Sequence, residues 1–198
     1  MRPQAVQPVT TSEGALLATI AAGTVRICLV GQPTTEPVPA TKALREPGVS
    51  FVTLERRSQL RGCVGSLRAT NPLYLDVVRN TRRAMADPRL PPVNRTDWPE
   101  LDIKVSVLTP LTPLDATGPD DLLRALRPGV DGLLLADDTR RATFLPSVWQ
   151  RLSDPGRFVA ALLAKGGWPD DGWPDNLSIH RYQAYEFCDP APRDPLTE

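Results

Sequence analysis

The chain has 198 residues, 41% hydrophobic and 23% charged, with 23 basic against 23 acidic side chains and a formal net charge of zero. A chain of this length buries about 70% of the surface its unfolded form exposes, so one globular domain, or one domain of two lobes, is expected rather than a disordered or fibrous chain. No apolar run approaches the roughly 20 residues that cross a bilayer, and three scattered cysteines without a CxxC pair argue against a disulfide framework or a zinc knuckle.

The opening MRPQAVQPVTTSEG has no apolar core behind its single arginine, so it does not read as a secretory signal, and the expectation is a flexible stretch over residues 1–11 and a cytoplasmic protein. Small or apolar residues at 17, 20, 21, 24, 25, 28 and 29 mark one helical face, with Thr11 or Ser12 as cap and Gly31 as stop; Cys28 falls on the buried stripe. The proline-rich GQPTTEPVPATKALREPG reads as a surface connection. VSFVTLE and QLRGCVGSL, separated by RRS, read as a hairpin. A helix follows from Pro72 with Asn71 as cap, and DPRLPP ends it. LDIKVSVLTPL alternates as a half-buried strand. Then come a short helix at PDDLLRALRPG, a second hairpin turning at residues 137–139, two helical pieces broken near Pro155, and a closing strand over residues 177–187. Residues 188–198 are expected to be a disordered tail, and Trp149, Trp168 and Trp173 to be core or packing residues. Hairpins interleaved with helices predict an α+β domain with a largely antiparallel sheet flanked by helices.

Charge is uneven along this neutral chain. Residues 56–95 hold nine arginines against Asp76 and Asp87, so this window is +7 and the remainder −7, which would suit an anion-binding lobe. Arg79, Arg82 and Arg83 share a helix surface, either a solvated face partly balanced by Asp76 and Asp87 or a phosphate site. Few aromatics and no helix-turn-helix or RNP signature speak against sequence-specific nucleic-acid binding.

LRGCVGSL, ADPRLPP, LDIKVSVLTP, ATFLPSVW and LLAKGGW follow one another in this order, and with them the chain resembles the AMMECR domain family, in bacteria and archaea called AmmeMemoRadiSam system protein A, over residues 12–187. The resemblance implies one two-lobed α+β domain, the two chain ends sharing the larger lobe and the LRGCVG segment near a cleft. It also implies a MEMO-like protein and a radical-SAM protein as partners, and brings no settled reaction. Many relatives carry histidine in a G-x-H-G turn where this chain has GVDG; Asp131 stands in that place, so no imidazole role carries over.

Two readings of LRGCVG stay open. Strand alternation would put Arg61, Cys63 and Gly65 on one face, the guanidinium favouring a thiolate. Cys63 and Arg61 would then be catalytic, with Gly62, Gly65, Arg89 and Asp131 completing a site for a small anionic ligand. Arg89 would otherwise pair locally with Asp87. Alternatively Cys63 is a small buried side chain at a crowded packing point and the protein a non-catalytic adaptor. His180 is the only histidine and its strand setting suits a surface residue better than a base for Cys63. The dispersed histidine and cysteines form no ligand pattern, so neither a metal nor a cofactor is expected.

Overall fold

The structure is a computed structural model and describes residues 8–32, 38–39, 41–169, 173–174 and 176–196. Of the predicted flexible N-terminus, residues 1–7 lie outside that range, while Val9 is buried and Thr10 caps α1 (Thr11–Val30). The Thr10 hydroxyl accepts the Glu13 N–H, and the Glu13 carboxylate accepts the Thr10 N–H at 2.8 Å, a reciprocal cap one residue earlier than the sequence indicates. After α2 (Lys42–Arg45) come β1 (Ser50–Arg56), β2 (Gln59–Gly65), α3 (Leu73–Met85), a 3-10 turn (Trp98–Glu100) and β3 (Leu101–Leu108). Next are β4 (Thr112–Pro113), α4 (Pro119–Ala125), β5 (Gly132–Ala136), β6 (Arg141–Phe144), a second 3-10 turn (Pro146–Gln150) and α5 (Pro155–Gly166). The chain closes with β7 (Ser178–Tyr182) and β8 (Ala184–Asp189). This is the α+β architecture expected, built as two four-stranded sheets ordered β2-β1-β3-β8 and β4-β7-β5-β6.

The described residues through Leu108, with those from Tyr185 on, form one compact unit, and Thr109–Ala184 forms the other. In the first, α1 and α3 pack on one sheet face over Val52, Leu54, Ile103 and Val105, which the antiparallel register pairs directly across β1 and β3. In the second, Leu133, Leu135, Phe158, Leu162, Trp149 and Trp168 form the core, with the Trp149 and Phe158 rings stacked at 3.8 Å. Trp173 packs half-buried against that core.

Three expectations change. The single strand over residues 177–187 is two strands in different sheets, divided at Gln183, whose backbone exchanges hydrogen bonds with Thr109 instead of continuing a ladder. The tail is ordered through Leu196: Ala191 donates to Asp102 at 2.8 Å, Trp98 Nε1 donates to the Asp194 carbonyl at 3.0 Å, and Arg193 donates to the Leu101 carbonyl and to Asp189. Arginine donors meeting acceptors at the start of β3 supply an order that a proline-rich, unpatterned sequence does not announce. Cys28 is exposed, because the buried stripe of α1 ends at Val25.

Against the expectation that no apolar run approaches bilayer length, α1 is the one helix among the described residues long and apolar enough to cross a membrane, with a mean hydropathy of 1.6. Its packing on α3 and β3 buries 44% of that stretch, which is reason enough for a core helix to be apolar.

The β1–β2 hairpin turns on Arg57 and Ser58 alone, with φ of 50° and 63°. Both central residues of this two-residue turn have positive φ, the geometry that favours Asn-Gly. Ser58→Gly is therefore expected to stabilise the protein by about 0.5–1 kcal/mol in urea unfolding, since glycine adopts positive φ without strain; a destabilisation would contradict the turn geometry.

Candidate functional site

β2 is an edge strand, and each of its two glycines lies under a close neighbour. A Cβ built on Gly62 would sit 1.9 Å from the Ala84 carbonyl oxygen of α3, and one built on Gly65 would sit 2.2 Å from the ring of Phe51, its cross-strand partner. Helix and strand approach there because there is no side chain between them.

Alternation fails at Arg61. Leu54 pairs with Gly62 but Glu55 pairs with Leu60, so Arg61 is the extra residue of a β-bulge. A bulge re-aims a side chain, and the structure parts the two groups that simple alternation would place together. The Arg61 guanidinium donates to Asp97 at 2.9 Å and to the Pro92 carbonyl, whereas Cys63 Sγ accepts the Thr53 hydroxyl at 3.4 Å from the directly opposed position on β1. Asp97, 2% exposed, also accepts from Arg56, and Glu100 takes Arg56 and Arg57. Three of the nine arginines in the basic window thus have carboxylate partners just beyond its end.

The backbone of Cys63 points outward from the sheet edge, and the DPR segment closes on it. Asp87 accepts the Cys63 N–H at 3.1 Å, Arg89 donates to the Cys63 carbonyl at 2.9 Å, and the two side chains bind each other at 2.6 Å. An ion pair stands where a fifth strand would otherwise pair, which blunts the edge. Arg89 thus takes the local pairing with Asp87. Its guanidinium, followed by the Cys63 and Arg89 N–H groups, holds the Asp87 carboxyl well below the usual carboxylate range against the opposing effect of burial.

That depression fixes a sign for acid stability. A carboxyl with a lowered folded pKa contributes fully above its unfolded value near ~3.9 and loses that contribution as pH falls through the folded value. Stability should therefore drop steeply below about pH 4, and Asp87→Asn should flatten the drop. Equal slopes for the two proteins in pH-dependent urea unfolding would contradict this role.

Asp131 lies in the other unit, fully buried at the start of β5, with both carboxylate oxygens bound by Arg127 and its carbonyl accepting Trp149 Nε1 at 2.7 Å. Its side chain closes the turn between α4 and β5. His180 is half-buried on β7, its Nδ1 3.3 Å from Ser178 Oγ. Cys188 is exposed on β8, its thiol pushed up first by partial burial and then by Asp102.

The sequence reading missed a buried polar cluster beside the motif. Asp76 of α3, 3% exposed, accepts the Ser50 N–H (2.9 Å), the Ser50 hydroxyl (2.7 Å), the Ser66 hydroxyl (2.7 Å) and Asn80 Nδ2 (3.0 Å). It ties the first residue of β1, the residue after Gly65 and α3 together without a cation. The signal was Asp76 and Asn80 at i and i+4 within an apolar stripe. Among the described residues no group of three metal-ligating side chains comes together.

Two units of helices on antiparallel sheets, the first carrying a glycine-flanked cysteine on a braced edge strand, define the class of domain. The chain belongs to the AMMECR1 family, whose profile matches residues 18–187. It is similar to a protein of Thermofilum pendens, 32% identical over 94% of each chain, and to one of Methanothermobacter thermautotrophicus, 36% identical over 69% of this chain and 73% of that one. It also matches the crystal structure of an uncharacterised protein from Pyrococcus horikoshii, with a TM-score of 0.86, 27% identity, and coverage of 96% of this chain and all of that one.

Proposed function

We propose that this protein is a non-catalytic interaction domain of the AmmeMemoRadiSam system, in which LRGCVGS is a packing device and the surface meets a MEMO-like or a radical-SAM partner. One observation carries the proposal: the groups around Cys63 are already committed within their own unit. Gly62 and Gly65 admit α3 and Phe51, Arg89 and Asp87 hold the Cys63 backbone, and Arg61 is paired with Asp97. Neither guanidinium is left as a bare cation for a small anion. The choice of partners is what the resemblance carried by LRGCVGSL, ADPRLPP and LDIKVSVLTP implies.

The test is co-expression with the MEMO-like and radical-SAM proteins of the same genome, starting at low ionic strength where charged contacts are least screened. Co-purification of at least one, undiminished by Cys63→Ser, is the expected result. No association at any salt concentration would overturn the proposal.

A second reading keeps a ligand site at the motif. Two observations favour it: the half-buried Cys63 Sγ accepts a hydroxyl, and the buried Arg61 Nε has no hydrogen-bond partner among the described residues. On that reading Cys63→Ser abolishes function while leaving stability intact.

A further inference from the structure

We infer that the exposed face of α3 is a docking surface for an acidic segment of a partner protein, an inference that rests on the interaction-domain reading and names the chemistry of the partner. α3 is strongly two-sided. Leu73, Val77, Val78, Thr81, Ala84 and Met85 are buried, while Arg79 and Arg83 are exposed and Arg82 is half-exposed between them. Arg79 and Arg83, four residues apart, share one surface, with Cβ atoms about 5–6 Å apart. Exposed Arg68 precedes the helix in the β2–α3 connection.

The sequence offers Asp76 and Asp87 as counterions for Arg79 and Arg83, and the structure turns both away from them. Asp76 is 3% exposed and faces inward onto Ser50, Ser66 and Asn80; Asp87 is 2% exposed and pairs with Arg89. Glu46 precedes α3 on an adjoining loop and has Lys42 within 3.9 Å. Arg79 donates to the neutral Asn71 oxygen at 2.7 Å, which positions its guanidinium without neutralising it. α3 therefore exposes arginine and no carboxylate of its own.

Carboxylates fit this face better than a nucleic acid does. Single-stranded nucleic acid binding joins a basic track to aromatic platforms for the bases, and Tyr74, the aromatic residue of α3, is buried. Arginine forks pair bidentately with carboxylates, and a partner segment with Asp or Glu one turn apart matches the Arg79–Arg83 spacing.

The test measures fluorescence anisotropy of a labelled oligoglutamate peptide of about ten residues, with an oligothymidylate of similar length in parallel, on the full chain at low and physiological ionic strength. The peptide should bind in a salt-dependent manner, and the double variant Arg79→Glu, Arg83→Glu should weaken it by at least about tenfold. The control Arg141→Glu, Arg151→Glu, which reverses two exposed arginines elsewhere, should change it by less than about twofold. Matched melting temperatures establish that each variant is folded. Equal binding by the α3 variant, no peptide binding, or tighter binding of the oligothymidylate would each overturn the inference. The same α3 variant in the co-purification separates the two claims. Association retained by the variant removes this surface and leaves the interaction domain standing, whereas peptide binding without any partner association removes the interaction domain and leaves the surface.

Discussion

Gly62→Ala is expected to cost more than about 3 kcal/mol, at or beyond the upper end of ordinary overpacking, and Gly62→Val to prevent folding of the unit that carries β2. The added methyl would meet the Ala84 carbonyl oxygen at 1.9 Å, a backbone atom in a helix that is itself packed on β1 and on α1. A flexible side chain yields to such a contact; a helical carbonyl moves only if α3 moves. Gly23→Ala is the internal comparison, since nothing lies within 4 Å of a Cβ there and alanine favours the helix by about 0.5–1 kcal/mol. Urea unfolding of the two variants should displace the midpoint in opposite directions. A Gly62→Ala protein within about 1 kcal/mol of wild type would mean that the close approach of α3 does not require this glycine.

Asp76→Ala is the second large effect. It strips the acceptor from the Ser50 N–H, two hydroxyls and the Asn80 amide, in a cluster whose Ser50, Asp76 and Asn80 are all buried. Each buried donor left without an acceptor costs about 1–3 kcal/mol, and water entering the space left by the carboxylate would recover part of that, so a loss of about 3–5 kcal/mol is expected. Asp76→Asn keeps one oxygen and should cost about half as much. A loss below about 1 kcal/mol for Asp76→Ala would show that Ser50, Ser66 and Asn80 satisfy one another without it.

Most elements were legible because their signals are local: a capped apolar face for α1, alternation for β3, a polar turn between β1 and β2. The failures share a non-local cause. A bulge at Arg61 shifts every face assignment around it, and nothing in LRGCVG announces one. The break at Gln183 depends on Thr109, far away in sequence, and the order of the tail depends on acceptors in β3. Within the candidate site, the glycines advertised close packing but not its partner. Asp76 carries a charge and so reads as a surface residue until Ser50 and Ser66, contributed by β1 and the end of β2, are seen around it. The basic window shrank for the same reason, since Asp97 and Glu100 lie just past residue 95 and fold back onto Arg56, Arg57 and Arg61.

Cys63→Ser separates a packing motif from a reactive site most directly. The side chain is half-buried, and Thr53 can donate to a serine hydroxyl as it does to the thiol, so the variant should keep its stability within about 1 kcal/mol. The decisive measurement is complementation of a deletion strain by this variant, with its unfolding midpoint and cellular level measured alongside. If LRGCVGS serves packing in an interaction domain, the variant complements as wild type does. A variant that is folded, present at the wild-type level and unable to complement would contradict that role and place the protein's function in the Cys63 thiol.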